Sequence, residues 1–223
     1  MVVRHSHVLD VKQHRSYRVE IACLDLEGVL IPEIWIEFAQ KTGIEALKAT
    51  TRDIADYDEL MTMRLNELDK AGLGINEIQE VIATLRPLDG AVEFVNWLRE
   101  RFQVIILSDT FYEFAGPFMK QLGYPTLLCH KLTIEEGTGK VLGYNLRQAN
   151  PKRQVICSLK SIYYRTIAAG DSYNDTTMLA EADAGILFKS PDNVIEEFPQ
   201  FPAVHTYEDL KAEFLKASIH VKS

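Results

Sequence analysis

Four short stretches of this 223-residue chain carry side chains able to hold a cation and present a nucleophile. They are Asp25 and Glu27 in "IACLDLEGVL", Ser108 and Asp109 in "VIILSDT", Lys152 in "NPKRQ", and Asp171, Asn174 and Asp175 in "GDSYND". Clustered carboxylates raise one another's pKa unless a cation neutralises them, so Asp25, Glu27, Asp171 and Asp175 together point to a metal. Without histidine or cysteine beside them the donors are hard oxygens, which suits magnesium, an ion that keeps part of its water shell and works with phosphate oxygens. A carboxylate beside such an ion has two roles open to it: holding the metal, or attacking phosphorus to form an aspartyl-phosphate. Lys152 offers a cation for a nucleophile or a phosphoryl oxygen, and Ser108 a hydrogen bond to the same oxygens. Each residue alone has a plainer reading, because Asp and Ser routinely cap helices that follow strands.

Bringing these residues together needs a scaffold. Short apolar runs at 20–26, 103–108, 126–130, 164–169 and 184–187 alternate with helix-length amphipathic segments, the pattern of a parallel sheet covered on both faces. The expected fold is α/β, a doubly wound parallel sheet. Ligands of open α/β sheets bind beyond the carboxyl ends of the strands, and there Asp25, Glu27, Ser108, Asp109 and Asp171 all fall. About 75 residues separate the first two strands, far more than a crossover helix requires. That gap reads as helical: "PEIWIEFAQKTG" opens on a proline and closes on Gly43, "DYDELMTMRLNELDKAG" has an Asp cap, and "INEIQEVIATL" follows. The expected organisation is an extension at 1–18, a core formed by 19–31 and 87–223, and a helical cap at 32–86. "LTIEEGTGKVLGY", residues 132–144, reads as a hairpin, and Trp35 and Trp97 read as core.

Composition bounds the partners. A formal charge of −8 and a pI near 5.3 argue against a surface built for nucleic-acid phosphates or anionic lipid. No run of the sequence reads as a membrane span or a signal peptide. Cys23, Cys129 and Cys157 are odd in number and far apart, without a CxxC pair, which reads as buried thiols in a reducing cytoplasm. His5 and His7 in the extension lack carboxylate or cysteine partners and do not make a metal site.

"DLEGVL", "LSDT", Lys152 and "GDSYND" resemble, in order and spacing, the four motifs of haloacid-dehalogenase-type phosphohydrolases, over essentially all of residues 19–216. The helical insert is similar to the cap of phosphoserine phosphatases, where Glu33, Tyr57 and Arg64 match substrate-contacting positions. The resemblance implies Asp25 as nucleophile, Ser108 and Lys152 as phosphate-binding groups, Asp109 and Asn174 as substrate-binding residues, Asp171 as a magnesium ligand beside Asp25, and Asn174 and Asp175 as its supports. Glu27 would lend its backbone carbonyl to the ion. In the cap, Arg64 suits a substrate carboxylate and Glu33 a substrate ammonium. The family's first motif runs Asp-x-Asp, and here Glu27 stands at the second acid, the proton shuttle. Glutamate at that place is similar to the phosphoserine phosphatases that also pass phosphate to homoserine. The function so implied is a magnesium-dependent phosphoserine phosphatase with phosphoserine:homoserine phosphotransferase activity, acting on small molecules and compatible with a homodimer. The alternatives are a phosphatase for another small phosphomonoester and a weakly catalytic regulatory module of the same fold.

Overall fold

A computed structural model describes residues 19–50, 53–54 and 56–220; the extension at 1–18, with His5 and His7, lies outside them. The chain opens with strand β1 (Glu20–Leu24), followed by helices α1 (Ile34–Thr42), α2 (Tyr57–Lys70), α3 (Ile75–Ala83) and α4 (Ala91–Arg99). Then come β2 (Gln103–Phe111), α5 (Tyr112–Gln121), β3 (Thr126–Ile134), β4 (Val141–Asn145), α6 (Pro151–Ser161) and β5 (Arg165–Gly170). The chain ends through α7 (Thr176–Glu181), β6 (Ala184–Phe188), α8 (Asp192–Glu197), β7 (Ala203–Val204) and α9 (Tyr207–Ala217).

The seven strands form one sheet in the order β4-β3-β2-β1-β5-β6-β7, parallel except for the β3–β4 pair. β1 lies at its centre and is buried along its whole length. Its side chains alternate between two apolar clusters with the period of two that a pleated strand imposes. Ala22 and Leu24 join Phe94, Phe114 and Phe214 on one side; Ile21 and Cys23 join Val155, Ile156 and Met178 on the other. Helices therefore cover both faces, and the doubly wound α/β fold is as the alternation implies.

The 32–86 segment is helical, with one 3-10 turn at Glu45–Lys48. α1 ends at Gly43 in the left-handed conformation (φ +73°), and the Asp56 side chain caps α2 by accepting from Glu59 N at 2.9 Å. Its apolar residues Phe38, Leu47, Met61, Ile78 and Ile82 share a single cluster with the sheet. The insert also grips the β3–β4 hairpin. Ile75 N donates to Gly139 O at 2.8 Å, Lys140 Nζ meets Asp69 at 2.6 Å, and Tyr144 donates its hydroxyl to Asp58.

Two expectations shift in detail, and one strand is added. The 103–108 run continues to Phe111 because its ladder with β3, interrupted by a bulge after Leu107, resumes at the Phe111–His130 pair. The 126–130 run and the first arm of the hairpin are one strand, β3, which pairs with β2 on one side and β4 on the other. The two-residue edge strand β7 has no hydrophobic run to announce it.

Candidate active site

Asp25 is the first residue past the central strand. Its N–H still donates to Ala169 O of β5 at 3.0 Å, and its Oδ1 accepts from Leu26 N at 2.7 Å. The side chain is buried. Gly28, three residues on, turns the chain with φ +73° beside the Asp171 carboxylate. Only a residue without a Cβ fits, because a methyl there would stand 2.3 Å from Asp171 Oδ2. The bulge in β2 lifts Ser108 and Asp109 out of the ladder toward the same end of the sheet. Ser108 Oγ accepts from Thr110 N at 3.2 Å, leaving its proton free for another acceptor.

Lys152 joins these strand ends. Its Nζ lies 2.8 Å from Asp175 Oδ1, 3.0 Å from Asp25 Oδ1 and 3.2 Å from Asp109 Oδ2. Burial opposes its charge, yet the three carboxylates hold its pKa well above the usual lysine value. Asp175, fully buried, also accepts from Asp171 N at 2.9 Å and Ser172 N at 3.1 Å. It thereby fixes the loop that carries Asp171. For Asp25, burial and the neighbouring Asp175 push the pKa well up, against the pull of Lys152. Burial and Asp175 likewise hold Asp171 at about 7. Burial raises the Asp109 carboxyl too, but Lys152 and His130 outweigh it and bring the group down to about 2.

Oxygens of Asp25, Asp171 and Asp175 lie within 4.8 Å of one another. All three are hard oxygen donors, and the crowding that raises the proton affinity of Asp25 and Asp171 is the condition a divalent cation relieves, so the residues fit a magnesium ion. The Glu27 side chain is outside this trio. Its Oε1 accepts from Ile34 N at 2.8 Å, at the first turn of α1, and burial together with Glu33 pushes its pKa up to about 8.

A polar cavity of about 70 Å³ opens among Asp25, Glu27, Glu33, Ser108, Asp109 and Lys152, with Asp171, Ser172 and Asn174 completing its wall. Nine residues from five separate stretches thus meet at one point. Ser172 is the addition here, a residue whose place in "GDSYND" gives no separate signal. Tyr57 and Arg64 are not among the described residues that line the cavity. Arg64 is buried one layer out, its guanidinium 4.6 Å over the Trp35 ring and its Nη2 donating to Ala49 O at 2.8 Å. Its Nε is buried with no hydrogen-bond partner among the described residues. Trp35 is thus more than core: it packs edge-on against Phe114 and carries Arg64 on its face. Tyr57 meets Tyr144 edge to face at 5.7 Å.

A sheet with a carboxylate at the end of its central strand, a lysine bridging to it and an acidic loop opposite defines a class, and the chain belongs to the haloacid dehalogenase-like hydrolases, whose pattern residues 19–183 match. It is 74% identical over 200 residues to phosphoserine phosphatase ThrH of Pseudomonas aeruginosa, covering 90% of this chain and 97% of that protein. Against a phosphoserine phosphatase of Pseudomonas syringae pv. tomato the identity is 72% over 200 residues, covering 90% and 84%. Among solved structures, a substrate-bound phosphoserine phosphatase superposes with a TM-score of 0.71 at 20% identity, over 87% of this chain and 98% of that one. A phospho-aspartyl intermediate analogue of phosphoserine phosphatase gives 0.70 at 20% identity, over 87% and 99%. These two likenesses speak to the fold.

Proposed function

We propose that the chain is a magnesium-dependent phosphoserine phosphatase that works by double displacement and also transfers phosphate from phosphoserine to homoserine. The observation that carries the reading is the approach of Lys152 Nζ to Asp25 Oδ1 at 3.0 Å, inside a cavity whose wall also holds Asp171 and Ser108. The high identity to two phosphoserine phosphatases supports the substrate.

Asp25 attacks phosphorus, its new O–P bond forming as the bond to the serine oxygen breaks. A carboxyl with a pKa of about 8 is largely protonated at neutral pH, so Glu27 can hand its proton to the departing serine oxygen. In the second step water, or the hydroxyl of homoserine, attacks the phosphoryl group. Its proton passes to Glu27, and the Asp25 carboxylate is released. Lys152 and Ser108 hold the phosphoryl oxygens, a positioning and charge-stabilising role that dominates phosphoryl transfer. Magnesium held by Asp25, Asp171 and Asp175, with Asn174 and the Glu27 carbonyl as further support, would neutralise the acidic cluster and the phosphate charge. The helical insert acts as the cap, with Glu33, on the cavity wall, assigned to the substrate ammonium; Arg64, one layer out and with its Nε unpaired among the described residues, would have to move inward to reach the carboxylate. Tyr57, which packs on Tyr144 outside the cavity wall, would contact substrate only with the same inward movement. The three cysteines are free and no described helix is long and apolar enough to cross a membrane; the reading places the enzyme in the cytoplasm.

Phosphorus NMR on a mixture of phosphoserine, homoserine and magnesium tests both halves. Inorganic phosphate together with O-phosphohomoserine is expected. Phosphate alone at saturating homoserine removes the transferase half, and no phosphate release from phosphoserine, with release from other phosphomonoesters, removes the substrate.

A further inference from the structure

Behind the cavity, on β3, stands a buried histidine to which neither the motifs nor the reaction above gives a task. His130 is 4% exposed. In the β2–β3 ladder it pairs with Phe111, at the first register position after the bulge that frees Ser108 and Asp109. The backbone N–H of Arg147 donates to His130 Nδ1 at 3.0 Å. A ring nitrogen that accepts a hydrogen bond carries no proton, so the single N–H of the neutral imidazole sits on Nε2. Nε2 lies 3.7 Å from Asp109 Oδ1. This is longer than a full hydrogen bond, and near enough for the N–H dipole to attract that oxygen. The other oxygen of the same carboxylate, Oδ2, is 3.2 Å from Lys152 Nζ.

Lysine ends in a point charge on a flexible four-carbon stem, and its direction is set by what surrounds the ammonium. Of the three carboxylates around Lys152, that of Asp109 is 36% exposed, against 6% for Asp25 and 0% for Asp175. Asp109 is therefore the partner most able to swing into solvent. Were it to do so, the ammonium would keep Asp175 at 2.8 Å and Asp25 at 3.0 Å but lose the third of the carboxylates that set its direction. A neutral donor on Oδ1 restrains Asp109 without competing as a cation for the charge that holds Lys152.

We propose that His130 is a positioning residue for phosphoryl transfer: through its Nε2–H it fixes Asp109, and Asp109 aims Lys152 at Asp25 and the phosphoryl oxygens. The proposal rests on the roles given to Lys152 and Asp25 under the proposed function. It assigns no contact between His130 and substrate.

The test is a double-mutant cycle on kcat and KM, run with phosphoserine and with p-nitrophenyl phosphate. His130→Phe keeps the volume and removes both nitrogens. Arg147 is exposed, so its N–H can turn to water. Expected is a fall in kcat on the order of tenfold with KM changed by less than about twofold, restored in large part by His130→Gln, which returns a donor near the Nε2 position. In an Asp109→Ala background the His130→Phe change should cost nothing further. Losses that add in the double variant, or a His130→Phe enzyme with wild-type kcat, overturn the proposal. Activity on p-nitrophenyl phosphate without activity on phosphoserine would refute the substrate assignment while the variant ratios still report on His130. Should His130→Phe not fold, long-range proton–nitrogen NMR of the wild-type ring decides: an Nε2–H tautomer is expected, and an Nδ1–H tautomer overturns the proposal.

Discussion

Replacing Gly28 by alanine separates chemistry from folding more cleanly than any change to a charged residue of the site. The added Cβ would stand 2.3 Å from Asp171 Oδ2 and 2.5 Å from its Cγ, where ordinary contact begins near 3.4 Å. Backbone cannot yield much, since Gly28 N donates to Ile31 O at 2.8 Å and β1 is paired on both sides. The carboxylate must therefore retreat by about 1 Å, and a displacement of that size at a reacting centre costs roughly a hundredfold in rate. Folding pays less. A left-handed conformation costs a residue with a Cβ about 1–2 kcal/mol, which for a chain of this length lowers Tm by roughly 2–8 °C. Phosphate release, magnesium titration by calorimetry and a thermal melt measure the three effects. The expected result is a folded Gly28→Ala protein with turnover down about a hundredfold and weaker magnesium binding. A variant with wild-type turnover and unchanged magnesium affinity would refute both the fit of Asp171 to the metal and the sterics behind it.

Three further outcomes are expected. Asp25→Asn keeps the shape of the side chain and removes the nucleophile, so phosphate release should vanish while the melt is retained; a freshly prepared, undeamidated variant with near wild-type turnover contradicts the role. In the metal-free protein, burial and neighbouring carboxylates hold Asp171 at about 7 and Glu27 at about 8, whereas unfolded carboxyls titrate near 4. The fold then binds more protons than the unfolded chain across that window, and its stability is greatest at the acid end and falls as pH rises toward 8. Melts from pH 5 to 8 in chelator should show the decline and magnesium should lessen it; a Tm that climbs with pH in chelator contradicts the shifts. Arg64→Ala should lower the preference for phosphoserine over phosphoethanolamine by roughly tenfold or more, since a charge-assisted hydrogen bond is worth about 1.5–3 kcal/mol; an unchanged ratio of kcat/KM for the two substrates counts against it.

What the sequence makes legible here follows from periodicity and strand position. β1, β5 and β6 lie inside the sheet and read as apolar runs because neighbours cover both faces. Asp25 and Asp171 stand out because each interrupts such a run at its end. The bulge after Leu107 carries no such mark. The polar "SDT" reads as the end of β2, and only the register jump to the Phe111–His130 pair reveals that the strand resumes beyond it, with Ser108 and Asp109 out of the ladder. His130 sits in "LLCHKL", where it and Lys131 read as tolerated polar side chains in a strand. Its meaning depends on Arg147, 17 positions away, and on Asp109 across the sheet. Trp35 reads as core from its helical spacing, and half of that is right; the Arg64 guanidinium on its face comes from another helix. β7 is only two residues long and is placed by backbone bonds, Leu187 N to Pro202 O and Lys189 N to Val204 O, which leave no trace in residue type.

The placement of β1 at the centre of the sheet also sets the order in which the molecule can be built. Its neighbours are distant in the chain: Ile21 pairs with Gln103 and Glu20 with Arg165. A ribosome working at roughly 5–20 residues per second needs on the order of ten seconds between making β1 and making β5. Throughout that interval a strand destined for complete burial has at most one partner, and the loop closures that join it are among the longest in the chain. Asp25 therefore reaches Lys152 and Asp175 only after the stretch from Lys152 to Asp175 has been synthesised, more than a hundred residues later. A nascent chain stalled before β5 would hold its nucleophile beside an unfinished sheet, with the sticky edge of β1 open to other chains or to a chaperone.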